Sequence, residues 1–353
     1  MLLEEAFPYQ EKRTFVLFFR KEILMKRTLE QVYGDPIFQS LDPRGKRFLS
    51  VAWLPPRLNL FASYGIEVAA LIPFKTFPHI KSIPTFQMML EDFQNGLYDD
   101  KHTIVVDSSG NTAHAVARIA PAFGFREIKT IMAADVPESK KGILAALSSV
   151  DVHSVRGGKS VAQEALEEAQ KPGHYHLNQY SHMGNVRAHE LYTGPEVLRS
   201  VGDSIAVIAV AMGSGGTVTG IGRFLKRKHP ETVVIGVRPA IGEQVPGARD
   251  RLRMEEVVTF PWKEAVDAVV EISRKESFNR MRQLWSAVEP QPGPTSGLAW
   301  GGLEQHLGSL TPDALESLRG KRVAFICPDD GRFYTERTTG ELDPDQGFEG
   351  TER

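Results

Sequence analysis

Cysteine is almost absent: Cys327 is the single one among 353 residues, so no intrachain disulfide can form, and the chain fits a reducing compartment. Charge of one sign is missing too. The formal net charge is −2, which gives no footing for nucleic acid or an anionic membrane surface. Long apolar runs are lacking. "FVLFF" at 15–19 is far too short to span a bilayer and has no small-residue cleavage site after it, so the expected location is the cytoplasm. Metal-ligand spacing is absent as well: His174, His176 and His182 have no cysteine or carboxylate at matching intervals, and no metal is expected. What remains is an ordinary globular composition, 41% hydrophobic and 24% charged, on a chain long enough for two domains.

From residue 103 a rhythm sets in. "HTIVVD", "KTIMAA", "DVHSV", "IAVIAVAM" and "TVVIGVRP" are apolar runs, most followed by a polar or glycine-rich turn and a segment of helical period. Strands alternating with helices predict an α/β protein with largely parallel sheets covered by helices. Proline and glycine at 172–173 and the irregular "NQYSHMGN" at 178–185 mark a crossing between two groups of units. Residues 1–45 read as an N-terminal extension with a helix around 19–33. Residues 336–353 read as a polar, disordered tail.

Three loops suit small anions. "MGSGGTVTG" at 212–220 lets backbone N–H groups converge on a helix N-terminus, with Ser214 and Thr217 as hydroxyl donors, so it reads as a phosphate loop or as a plain tight turn. It lacks the Gly-Lys-Ser/Thr of a Walker loop, and Val218 replaces the third glycine of a dinucleotide fingerprint. "DSSGNTAHA" at 107–115 offers Ser108, Ser109, Asn111 and Thr112 to a carboxylate, or merely caps a helix. "GPTSGLAW" at 293–300 and "ICPDDGRFY" at 326–334 complete the set. Before them stands "FPHIKSIPTF" at 77–86, in which Lys81 either snorkels to water or is held desolvated for covalent chemistry.

In this order and spacing, Lys81, "SSGNT", "NQYSHMGN", "TGPEV" at 193–197, "GSGGT", "PTSG" and "PDDG" resemble the fold-type II pyridoxal-phosphate enzymes, most closely the cysteine synthase and cystathionine β-synthase family. The resemblance spans roughly 50–335. It implies the fold of the tryptophan synthase β-subunit, in two domains, each a largely parallel twisted sheet flanked by helices. Segment 76–185 would be the smaller, mobile substrate-binding domain, and 46–75 with 186–335 the larger one that holds the cofactor phosphate. The cofactor would be pyridoxal 5'-phosphate, with Lys81 as Schiff-base lysine. Gly213, Ser214, Gly215, Gly216 and Thr217 would cradle its phosphate, Asn111 would meet its 3-hydroxyl and Thr295 its pyridine nitrogen. Ser108, Ser109, Thr112 and Gln179 would hold the substrate carboxylate.

A hydroxyl at the ring nitrogen does not keep it protonated, which suits β-elimination. The implied reaction is β-replacement on an O-activated serine through an aminoacrylate, with sulfide or another nucleophile as acceptor. A non-catalytic cofactor-binding homologue and a serine or threonine dehydratase are the other readings. "EQVPGARDR" at 243–251 resembles the "SSIPGIRRW" segment of the broader-specificity cysteine synthases, which puts Arg249 near an anionic leaving group or leaves it in a solvated loop. A homodimer acting on a small amino acid is the implied assembly. The family's G-S-x-K-D-R is replaced here by His79, Ile80, Lys81, Ser82 and Ile83.

Overall fold

A computed structural model describes residues 27–334, except 109, 135, 137, 148, 149 and 156–159. Among the described residues ten strands form two sheets: β1 (Ser50–Trp53), β2 (Glu67–Ile72), β3 (Thr103–Asp107), β4 (Glu127–Ala133), β5 (Val150–Val155), β6 (His174–His176), β7 (Ile205–Ala211), β8 (Val233–Pro239), β9 (Ala268–Ile272) and β10 (Arg322–Ile326). The larger sheet runs β1-β2-β10-β7-β8-β9 and the smaller β5-β4-β3-β6. All pairings are parallel except β1 with β2 at one edge. Sequence and strand burial agree physically. The "VAALI" of β2, "TIVVD" of β3 and most of β7 are buried without alternation, as expected of strands covered on both faces.

Four helices matter most for the site: α1 (Ser82–Gln94), α2 (Asn111–Ile119), α3 (Gly216–Lys228) and α4 (Pro294–Gly308). In α1 ten residues are buried, and its Ile83 and Phe86 share one core cluster with Ile104 and Val106 of β3 and Ile208 and Val210 of β7. This helix packs chiefly against the Gly184–Ala188 helix and α2. Full burial of a side chain such as Phe86 is worth about 1.5–3 kcal/mol. Pro84 is tolerated in α1 because the first-turn N–H groups have no intrahelical partner. Helix α4 starts on Pro294 at its first turn and is buried along most of its length, between β7, β8 and the Arg274–Leu284 helix.

The single helix read over 19–33 falls mostly outside the described residues. Its end is a short helix, Leu29–Gly34, followed by a second, Pro36–Leu41. Asp35 divides them, ending the first in extended conformation and capping the second through Ile37 N at 2.9 Å. The tail at 336–353 also lies outside the described residues.

Candidate active site

The site assembles where the carboxyl ends of β7 and β10 meet the segment before α1. Ligands of open α/β sheets gather outside strand carboxyl ends. Ile80 N donates to Pro328 O at 2.7 Å, and His79 pairs with Asp329 in an isolated antiparallel bridge, so main-chain bonds fix the two residues before Lys81. Lys81 then opens α1. As a residue it is partly exposed, but burial dominates at its amine, which donates to Ser214 Oγ at 3.3 Å. Burial lowers the amine from 10.5 to about 8; nearby Arg249 pushes the same way and Asp329 opposes. The amine is turned inward, away from water.

Gly213, Ser214 and Gly215 form the turn into α3, and Gly216 and Thr217 start that helix. Gly215 has φ +79°, a left-handed conformation open to glycine at little cost. Ser214 also accepts from Asn185 Nδ2 at 3.1 Å, and the same nitrogen donates to Gln179 O at 2.7 Å. Thr217 Oγ1 lies 3.0 Å from His189 Nε2, and His189 Nδ1 lies 2.9 Å from Thr193 Oγ1. His189 is fully buried, and desolvation followed by the Lys81 charge holds its imidazole well below the usual range, hence neutral. Thr193 of "TGPEV" thus supports the loop through His189.

Across the pocket Thr295 lies in the first turn of α4, 2% exposed, and its hydroxyl is buried without a hydrogen-bond partner among the described residues. Lys81, Ser214, Thr217, Gly247, Thr295 and Pro328 are among the pocket's lining residues. From the start of α2, Asn111 Nδ2 donates to Asp329 Oδ2 at 2.6 Å, and Thr112 Oγ1 to Gln179 Oε1 at 2.7 Å. Gly110 stands at the N-cap of α2 and makes no side-chain capping bond there. Ser108 Oγ accepts from Gly110 N at 3.3 Å, and Ser109 is outside the described residues. Arg249 stacks on the Tyr180 ring at 4.5 Å and donates to its hydroxyl at 2.5 Å, where Gln179 Nε2 donates at 3.3 Å.

Sequence reading missed Tyr180, Asn185, His189 and Asp329. Tyr180 and Asn185 lie inside the quoted "NQYSHMGN", where their polar groups beside Gln179 were the available signal. The three histidines considered as metal ligands pair with different carboxylates: His174 with Glu168, His176 with Asp107 and His182 with Asp92.

Chemically the pocket offers an enclosed near-neutral amine for a carbonyl, an amide-rich turn at a helix N-terminus for a phosphate, and a lone buried hydroxyl for a ring heteroatom. Pyridoxal phosphate carries all three groups, and the residues fit it. Fold and site define an enzyme built around a small phosphorylated carbonyl cofactor.

Residues 81–329 match the family of pyridoxal-phosphate dependent enzymes, and the chain belongs to that family. Cysteine synthase B of Escherichia coli strain K12 is 28% identical over 322 residues, covering 91% of this chain and 98% of its own. Two solved structures share the fold. O-ureido-L-serine synthase superposes with a TM-score of 0.72 at 18% identity, covering 89% of this chain and 96% of that one. The O-acetylserine dependent cystathionine beta-synthase of Helicobacter pylori gives 0.69 at 22% identity, covering 85% and 96%.

Proposed function

We propose that the protein catalyses β-replacement on an O-activated serine, with Lys81 as the catalytic residue and sulfide or another small nucleophile as acceptor. The observation that carries this is the enclosed Lys81 amine bonded to the hydroxyl of the glycine turn. The names cysteine synthase, O-ureido-L-serine synthase and O-acetylserine dependent cystathionine beta-synthase all point to a three-carbon amino acid with a heteroatom on its β-carbon.

Pyridoxal phosphate, when bound, supplies an electron-withdrawing ring that acidifies the Cα–H of an attached amino acid. Lys81 would hold its carbonyl carbon, Gly213–Thr217 its phosphate, Asn111 its 3-hydroxyl and Thr295 its ring nitrogen. Lys81, whose amine is half neutral near pH 8, takes the Cα proton and returns one at the end of the cycle. Ser108, Ser109, Thr112 and Gln179 hold the α-carboxylate, and Arg249 faces the leaving group. Segment 76–185 acts as a substrate-binding unit that closes on 46–75 and 186–335 and excludes water, with 1–45 as an extension. The working form is a cytoplasmic homodimer. Borohydride reduction followed by peptide mapping tests the core of the reading. A pyridoxyl adduct on Lys81 is expected; an adduct on Lys75, or a protein that stays colourless with added cofactor, defeats it.

Gln179→Ala should weaken amino-acid binding by about 1–3 kcal/mol, since it strips the partner from Thr112 and removes a carboxylate donor. Titrating the cofactor's absorbance with substrate measures this; an unchanged curve removes Gln179 from the substrate site.

Arg249→Ala should discriminate between leaving groups. A guanidinium contact to a phosphate is roughly twice as strong as a neutral hydrogen bond. The variant is expected to lose about tenfold or more with O-phosphoserine, or about 1.4 kcal/mol, and far less with O-acetylserine. Equal loss with both donors would make Arg249 only a prop for Tyr180.

A further inference from the structure

Asp329 belongs to "PDDG", whose chemistry the motif alone leaves open. It is 1% exposed, three residues past the end of β10 and opposite the residues that carry Lys81. Its Oδ2 accepts from Asn111 Nδ2 and from the Tyr334 hydroxyl, each at 2.6 Å. Among the described residues its Oδ1 is buried without a partner, and it lies against Gly293, where a Cβ would stand 2.4 Å from it. Gly293 caps α4, and its N–H donates to the Asp329 carbonyl at 3.0 Å. The carboxylate therefore sits at the positive end of a 15-residue helix.

Burying a carboxylate costs several kcal/mol unless its oxygens are paired. Burial, helped by the neighbouring Asp330 charge, lifts this carboxyl to about 6, even though Tyr334, Asn111 and Lys81 favour its charged form. A residue serving only to tie α2 to the β10 loop could do so as an uncharged amide without that cost. A carboxylate differs from that amide in one chemical respect. A carboxylate accepts only, so each partner must present a donor, and the Asn111 amide must therefore turn its N–H end toward it; an asparagine can also donate, and would let that amide turn over.

We infer that Asp329 is a positioning residue: locked by Tyr334 against the N-terminus of α4, it takes one amide hydrogen of Asn111, fixes which end of that amide meets the cofactor's 3-oxygen, and keeps a negative charge beside the Lys81 amine. This rests on the proposed function and names a residue that acts through Asn111 and Lys81 rather than touching substrate. With one hydrogen committed to Asp329, Asn111 retains its other hydrogen for the 3-oxygen, which it stabilises in the deprotonated form.

The test uses the holoenzyme and the ratio of its cofactor absorption bands at fixed pH, which reports protonation at the 3-oxygen. Asp329→Asn should change that ratio severalfold toward the protonated form while the cofactor stays bound. Asn111→Ala should change it to a similar extent, and the double variant should change it little further, because both act through one hydrogen bond. Tyr334→Phe, which leaves the carboxylate in place but frees one side of it, should give a smaller change of the same sign and decides the question if Asp329→Asn does not fold. Spectra of Asp329→Asn and Tyr334→Phe that coincide with the parent's, with only the melting temperature lowered, would reduce Asp329 to a structural tie. Changes that add in full in the double variant would overturn the route through Asn111. Failure of the parent to yield the Lys81 adduct would defeat the functional reading itself, whereas a normal adduct with unmoved spectra defeats only this inference.

Discussion

Lys81→Ala should lose turnover by roughly 10^3-fold or more, since one side chain supplies both the covalent anchor and the proton carrier, and a positioned acid–base group alone contributes about 10^2–10^4. The substitution also empties an enclosed position beside Ser214, whose hydroxyl keeps Asn185 as its donor, so the fold should survive. Two measurements separate chemistry from folding. The variant should melt like the parent yet give no adduct on reduction. The cofactor-stripped parent should capture pyridoxal phosphate with a rate that rises with pH to a midpoint near 8, because the neutral amine is the reactive form and burial has brought it down from 10.5. A midpoint near 10.5 would mean that the amine is solvated, and retained turnover in Lys81→Ala would place the base elsewhere.

The second large effect is expected at Gly213. A Cβ there would stand 2.3 Å from the Gly247 carbonyl oxygen, a main-chain atom that cannot rotate away as a side chain would. Relief requires the turn before α3 to part from the loop carrying Arg249, whose N–H donates to Met212 O at 2.9 Å next door. Overpacking of this kind costs about 1–3 kcal/mol, roughly 5- to 150-fold in an equilibrium constant. Gly213→Ala should therefore be purified with little cofactor and bind it that much more weakly in a spectroscopic titration. Gly34→Ala, which meets nothing within 4 Å, should behave as the parent. Full cofactor occupancy in Gly213→Ala would show that the turn yields more easily than the close approach implies.

The α/β architecture and the glycine turn were legible because they are written locally. A strand covered on both faces must be apolar throughout, and a turn that packs against a carbonyl must be glycine; β7 and Gly213 carry both signals within nine residues. The "SSGNT" segment was legible as a polar loop between strand and helix, but the partners of its side chains were not. Asn111 meets Asp329 across 218 positions of chain, and Arg249 meets Tyr180 across 69. No periodicity or spacing encodes such pairs; they exist only once α2 and the two sheets have docked. For Lys81, its neighbours Phe77, Ile80, Ile83 and Phe86 permit snorkelling and desolvation alike. The decision comes from main-chain bonds to Pro328 and Asp329, which turn the amine toward Ser214.

Cys327 follows β10 in the core beneath the pocket, with no exposed surface, and burial pushes its thiol up to about 12. Thiolate, not thiol, attacks disulfides and persulfides. For an enzyme proposed to consume sulfide and release a thiol amino acid, this has a practical meaning. The surrounding solution fills with oxidised sulfur species whenever oxygen is present, and a chain with a single inaccessible thiol offers them nothing to exchange with. The protein keeps its own sulfur out of the chemistry it handles, and needs no reductant to do so.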